Sequence, residues 1–474
     1  MKPVLIPRTT HGFSESSVTG RGNKKSLYTA NALSRTSKLS WGRNQQSSTL
    51  NALGCTAIML FCPVLVTFCA ITLSQFQGSL FLALREMATI GPMEWFSANI
   101  PQFSLNVSLG HYAWVLFQAA IYQFLPAGKA SLGQPTPAGN ILEYRTNGLV
   151  AWVITHCGFI TLSYFGYVDP AIVARNWESL LLSLNMYGFL LSAFAYWKAH
   201  AMPSHEGDRK FGGSVWYDFY MGIELNPRLK NFDLKLFTNG RPGIVAWTII
   251  DLSFMAYQYQ LHGYITNSIL VATYLHGLYV VDFFVNEDWY VRTIDIAHDH
   301  FGFYLAWGST VWLPAMYTLQ TQYLARYPVT LSTPAIISLM IVGTGGYALF
   351  RSVNHQKNLT RSTKGKCLIW GTKAKVLKMK YKTSDGLTHE SIMLISGWWG
   401  LARHTNYLGD LILSYSMCAT CGFQNLLPWT YAIFMTILLV HRCWRDEDRC
   451  HQKYGKAWRD YCELVKWRII PGVW

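Results

Sequence analysis

Ten apolar runs divide the chain, at residues 52–74, 108–126, 146–168, 176–197, 243–263, 267–285, 300–320, 332–353, 391–424 and 426–441. About 20 apolar residues of helix cross a hydrocarbon core of about 30 Å, so the pattern predicts an all-α integral membrane protein with about ten transmembrane helices. Residues 75–96 read as a further helix lying in the membrane interface. The ninth run exceeds one crossing and leaves room for a break near Gly397 to Arg403. Ahead of the first run, residues 1–50 are rich in Ser, Thr, Asn, Lys and Arg and too poor in apolar side chains to fold alone, so they read as a disordered basic tail. The remainder divides into 51–353 with the first eight crossings, a basic loop at 354–390, and 391–474 with the last two crossings and a polar tail.

Polar positions inside the apolar pattern mark the C-terminal segment as the place of chemistry. Trp399, Arg403, Asn406, Tyr407 and Asp410 follow helical spacing, so one continuous helix would gather them on one face. Ionisable groups at membrane depth are expensive and point to function, the competing reading being an Arg403–Asp410 ion pair that glues two spans. Arg442, Asp446, Arg449 with Cys450, and Lys453 repeat the spacing downstream, followed by Tyr454, Trp458 and Tyr461. Interleaved bases and aromatics suit a ligand with ring and phosphate parts. Between these stretches and the eighth run, lysines alternate with Val, Met and Tyr from Lys373 to Lys382, and Ser384-Asp385-Gly386 supplies a turn before Leu387 to Leu394. That is a hairpin with one basic face, suited first to an anionic lipid leaflet and second to covering a site entrance.

Composition changes the picture in three ways. At 51% hydrophobic and 14% charged residues the chain is far from the roughly 25% charged of a soluble domain, which excludes several soluble domains in tandem. The net charge of +15 is orientation signal more than nucleic-acid affinity: 35 of the 40 lysines and arginines fall on one side of a ten-span topology, so both termini are expected in the cytosol. The ten cysteines form no framework, and Cys418 and Cys421 lie in an apolar run without a second pair at zinc spacing, so no metal site is expected.

The runs GWWGLARHTNYLGDL (Gly397 to Leu411) and HRCWRDEDRCHQKYGKAWRDYCELVKWRIIPGVW (His441 to Trp474), with MGIELNPRLKNFDLKLFTNGRPG (Met221 to Gly243) and NEDWYVRTIDIAHDHFGF (Asn286 to Phe303), resemble the sterol reductase family over about residues 50–474. The resemblance implies NADPH-dependent reduction of a sterol ring double bond in the endoplasmic reticulum membrane. Within the family, HDHFG and the HRC, RDE and RC runs favour the 7,8 bond of 7-dehydrocholesterol over the 14,15 bond. Sterol from the bilayer, membrane lipids and other sterol-pathway enzymes are the implied partners, with no nucleic acid. By the same resemblance the cofactor pocket draws on Lys357, Arg361, Leu394, Trp399, Asn406, Tyr407, Asp446, Cys450, Lys453, Tyr454 and Tyr461, with Trp399 and Tyr407 flanking the nicotinamide and Asp446 holding Arg442. The first eight spans would then enclose a sterol-facing cavity.

No GxGxxG follows a strand, so a dinucleotide here is not held by a Rossmann turn. Side chains must meet its phosphates, and Lys357, Arg361, Arg403, Arg442, Arg449 and Lys453 are the available bases. Saturating an unpolarised ring alkene takes a hydride to one carbon and a proton to the other, so a buried acid is required. Tyr290 and Glu287 are the first candidates for that proton relay, and Asp410 of the polar stripe joins them, with Asp282, Asp295 and Asp299 as further acids. His298 and His300 flank Asp299 but lack a third ligand at defined spacing, so a capped helix start is the preferred reading of that run. Glu224 and Arg228 read as a structural pair at a cytosolic turn. A sterol-binding scaffold without turnover is the rival from another functional class.

Overall fold

The computed structural model describes residues 47–384 and 386–474, so the tail expected at 1–50 lies almost wholly outside the described residues. Long helices run over α1 (Thr49–Gln75), α2 (Leu105–Phe124), α3 (Gly148–Tyr164), α4 (Trp177–Ala201), α5 (Ala246–His262), α6 (Asn267–Val285), α7 (Thr333–Ser362), α8 (Thr405–Ala419) and α9 (Thr430–Tyr454). Four of them, α1, α4, α6 and α7, are long and apolar enough to cross a membrane by length and composition. The interfacial segment is two short helices, Leu80–Ile90 and Pro92–Asn99, parted at Gly91 with φ +91°.

The seventh apolar run is a composite. Phe303–Trp307 passes into a π-helical turn at Gly308–Trp312 and on through Leu313–Met316 to Leu319–Arg326. A matching π turn, Asn239–Val245, leads into α5 and contains Pro242. Proline has no N–H for the helical ladder, and π turns absorb such a local mismatch: Pro242 lies within one widened turn and Pro314 just after the other. The two turns pack together: Ser309 Oγ donates to Asn239 Oδ1 at 3.2 Å.

The ninth run departs most from expectation. Its first residues form a strand, Thr388–Leu394, paired antiparallel with Val376–Lys382 from Val376 opposite Leu394 to Lys382 opposite Thr388. After a turn at Gly397 the chain makes one helical turn, Trp398–Leu401, and extends at Ala402 (φ −150°, ψ 156°) before α8 begins. The extended step exists because the C-terminal tail docks there. Arg403 N donates to Trp467 O at 2.9 Å and His404 N to Arg468 O at 2.7 Å. The five-residue stripe is therefore carried by two helices and a connector.

Small residues set the approach of α7 to α8. A Cβ on Gly409 would lie 2.6 Å from Gly346 O and from Phe350 N, and one on Gly343 would meet Leu275 of α6 at 2.7 Å. Only glycine permits this crossing, and it lays the Phe350 to Arg361 end of α7 against the start of α8.

Candidate active site

One cavity of about 510 Å³ opens where these elements meet. Along α9 its wall runs from Met435, Leu438 and Leu439 through Arg442, Asp446, Arg449 and Cys450 to Lys453, about 27 Å at 1.5 Å per residue. The same change from apolar to charged occurs along α7, from Phe350 to Lys357 and Arg361. Arg361 and Asp446 act on the charge of Lys453, so the charged ends of α7 and α9 converge. Ile244, Tyr279, Phe283, Leu313 and Tyr317 close the apolar part, Ile244 and Leu313 coming from or beside the π turns.

Every expected cofactor residue borders this cavity: Lys357, Arg361, Leu394, Trp399, Arg403, Asn406, Tyr407, Asp446, Cys450, Lys453, Tyr454 and Tyr461. Their environments separate them. Among the described residues neither Lys357 nor Arg361 has a carboxylate within ion-pair distance, so both remain available to an anion. Lys357 Nζ sits 4.7 Å over the Trp399 ring, which is fixed by its Nε1 donating to Val353 O at 2.8 Å. Tyr407 stacks on His404, with ring centroids 4.9 Å apart and planes 5° from parallel.

Arg403 plays a different part from the phosphate contact expected of it. Its Nη1 donates to Val465 O and Lys466 O at 2.7 and 2.9 Å, and its Nη2 to Glu447 Oε1 at 2.6 Å. Arg403 thus clips the tail to the start of α8, and the Arg403–Asp410 pair does not form. Asp446 likewise pairs with Arg449, while Arg442 reaches Asp295, so Asp446 does not hold Arg442. Burial works to raise the Asp446 carboxyl, but Arg449, His404 and Lys357 overcome it and hold it at about 2. Arg449 Nη1 also lies 3.2 Å from His298 Nε2, and Asp299 pairs with Arg445. The helix at Phe303 starts on Gly302 without a side-chain cap, which removes the capping role expected of the HDH run.

Burial, reinforced by the like charge of Arg449, lowers the Lys453 ammonium to about 7. Its charge is complete below that value and lost as pH rises through it. Affinity for an anionic nucleotide is therefore expected to weaken from pH 6 to pH 8, and to weaken less in Lys453→Met, where Lys357, lowered to about 7 by burial and by Arg361, still loses its charge over that range; titration of nucleotide binding against pH reads both.

The basic hairpin covers the site. Its Ile392, Met393 and Leu394 line the cavity, Tyr381 receives Lys453 Nζ at 3.9 Å from its ring centroid, and Met379 is buried with Cys450, Trp458 and Tyr461. Lys378, Lys380 and Lys382 face outward on the same strand, which pairs a basic outer face with a site-covering inner one.

Of the candidate acids, Tyr290, Asp410, Asp282 and Asp295 border the cavity, whereas Glu287 does not. Glu287 is 2% exposed and bonds Arg241 Nη1 at 3.2 Å and Gly148 N at 2.7 Å, so its carboxylate is engaged inside the protein, off the cavity wall. Glu287→Ala is expected to destabilise the protein by about 3–5 kcal/mol, because Arg241 is left buried and uncompensated. Thermal unfolding of the solubilised protein measures it. The pairing expected for Glu224 and Arg228 also resolves differently: Glu224 binds Lys198 at 2.9 Å and Arg228 binds Asp233 at 3.0 Å.

Tyr290 has the more telling environment. Asn239 Nδ2 donates to Tyr290 Oη at 2.7 Å, which occupies the oxygen as an acceptor and leaves its proton to point elsewhere. Asn239 and Asn354, both lining the cavity, escaped the sequence reading. Uncharged amides give no charge signal, although Asn354 shares its helix face with Phe350, Lys357 and Arg361.

The sequence matches the ergosterol biosynthesis ERG4/ERG24 family over residues 42–474. The chain belongs to that family. Among its curated relatives are proteins named 7-dehydrocholesterol reductase from Danio rerio, 44% identical over 91% of this chain and 93% of the relative, and from Xenopus laevis, 45% identical over 91% and 94%. A protein named Delta(14)-sterol reductase from Methylotuvimicrobium alcaliphilum is 35% identical over 88% of this chain and 94% of its own length. With relatives named as sterol reductases along nearly its whole length, the chain is a membrane protein and a sterol reductase.

Proposed function

We propose that this protein is an NADPH-dependent reductase of the endoplasmic reticulum membrane that saturates the 7,8 bond of 7-dehydrocholesterol to give cholesterol. The observation that carries the reading is one cavity that has both a cationic, aromatic end and an apolar end along α7 and α9. The cationic end suits a dinucleotide: Lys357 and Arg361 are unengaged by carboxylates, and flat walls are supplied by Trp399 and by Tyr407 stacked on His404. A reduced nicotinamide bound there supplies the hydride. Lys357 and Arg361 hold phosphate, and the hairpin with Leu394 and Tyr381 keeps water from the nicotinamide end.

Tyr290 is assigned as the proton donor to the other alkene carbon. Asn239 stays hydrogen-bonded to the phenolic oxygen throughout, and steadies the phenolate left when the proton has gone. Asp410, which borders the cavity and is unpaired with Arg403, is assigned to steady the positive charge that builds on the ring before hydride arrives. Ten crossings with both termini and the charged mouth toward the cytosol complete the reading, since the anionic cofactor is then met on the side where Lys and Arg concentrate.

Incubation of purified protein with NADPH and 7-dehydrocholesterol, in parallel with a 14,15-unsaturated sterol, tests it by mass spectrometry of the products. Gain of two hydrogens on the first sterol alone is expected. Reduction of the second alone would move the assignment to the 14,15 bond, the activity named for the Methylotuvimicrobium relative. Nucleotide oxidation that no sterol accelerates would overturn it.

A further inference from the structure

Phe350, Asn354, Lys357 and Arg361 are spaced i, i+4, i+7 and i+11 on α7 and all four border the cavity, so one helix face changes from phenyl to amide to ammonium to guanidinium. Asn354 stands at the change, about 6 Å along the helix from Phe350 and about 4–5 Å from Lys357. It is 1% exposed, and neither its Oδ1 nor its Nδ2 has a hydrogen-bond partner among the described residues. Burying both a donor and an acceptor unpaired is costly and rare in folded proteins. A partner for this amide must therefore come from the cavity.

The chemistry of that partner is constrained on three sides. It must offer a donor and an acceptor side by side, because the amide presents one of each. It must be flat, since the adjoining wall is the Trp399 ring, locked by its bond to Val353 O one residue before Asn354. It must also link an apolar neighbour to an anionic one, since Phe350 lies to one side and Lys357 to the other. A primary carboxamide on an aromatic ring that is tethered to phosphate meets all three requirements. A sterol's fused rings carry no polar atom at the reacting carbons.

We infer that Asn354 pairs with the carboxamide of the bound nicotinamide and so fixes which way the ring lies over the apolar chamber. The assignment rests on the nicotinamide cofactor proposed above. It makes Asn354 a positioning residue that sets ring orientation through a two-bond amide pair, a role separate from the phosphate contacts of Lys357 and Arg361.

The test is nucleotide binding, without turnover. Purified wild-type protein is titrated with NADPH, with the acetylpyridine analogue in which a methyl replaces the carboxamide NH₂, and with adenosine diphosphate carrying the additional ribose phosphate. Wild type is expected to bind the analogue about tenfold more weakly than NADPH. Asn354→Leu is expected to bind NADPH and the analogue alike, to keep wild-type affinity for the adenine-side fragment, and to keep its nucleotide-free unfolding temperature, since no protein partner is lost. Asn354→Ala serves if the leucine variant does not fold.

Persistent discrimination against the analogue in these variants would overturn the inference while leaving the cofactor reading intact. So would a fall in sterol affinity without a change in nucleotide preference. Failure of the wild-type protein to bind NADPH or the fragment would overturn the cofactor reading itself, and this inference with it.

Discussion

Tyr290→Phe is expected to lower turnover by roughly a hundred- to ten-thousand-fold, the usual contribution of a positioned general acid, with little change in the affinity for sterol or cofactor. The phenyl ring keeps its packing against Phe283, whose centroid lies 4.6 Å away, so the shape of the apolar chamber survives. What is lost is the one proton that Asn239 frees by donating to the phenolic oxygen. The variant also leaves Asn239 Nδ2 unpaired, a stability cost of about 1–3 kcal/mol, so unfolding temperature is measured alongside the kinetics. Near-normal turnover in a folded variant would remove Tyr290 from the chemistry. Asn239→Ala supplies the complementary measurement: if Asn239 steadies the phenolate, kcat falls in that variant while the KM for sterol holds.

The parts of this site that local pattern reveals are those carried within one element. The spacing of Arg442, Asp446, Arg449, Cys450 and Lys453 places all five along α9, and all five border the cavity. The alternation from Lys373 to Lys382 reads directly as a strand, and its inward Met379 and Tyr381 do pack on the cationic, aromatic end of the cavity. Periodicity fails where distant backbone intrudes. Nothing in the run from Trp398 to Asp410 announces that Trp467 and Arg468 take the amide protons of Arg403 and His404 and hold the helix open.

Ion pairing misleads for the same reason. The resemblance implies Arg442 held by Asp446, four residues on, yet Arg442 spans 147 positions to Asp295, and Glu287 spans 46 to Arg241. A buried guanidinium requires a full set of acceptors, and the nearest residue in sequence is one candidate among many in space. The π turns lie beyond a pattern reading as well, because a proline such as Pro242 marks a disturbance without saying whether the helix kinks, ends or widens.

Arg361→Ala is expected to weaken NADPH binding by roughly ten- to a hundredfold, the equivalent of one or two charge-assisted hydrogen bonds, while sterol saturation stays put. Arg361 is exposed at the cytosol-facing end of α7 proposed above, borders the cavity, and has no carboxylate within ion-pair distance among the described residues, so removing it strands no buried acid. The change should therefore appear as affinity and not as instability, and added salt should narrow the gap between variant and wild type. Arg403→Ala is the opposite case. There Glu447 loses one of its two arginine partners, though Arg468 Nε remains at 2.8 Å, and the carbonyls of Val465 and Lys466 lose their donor. Its first symptom should be a lower unfolding temperature from a loosened tail, with nucleotide affinity falling only as Tyr461 and Trp458 lose their seat against Cys450. If Arg361→Ala left NADPH affinity unchanged and Arg403→Ala abolished it in a fully stable protein, the phosphate would belong to the α8 end of the cavity, and the division of labour between the two arginines would be reversed.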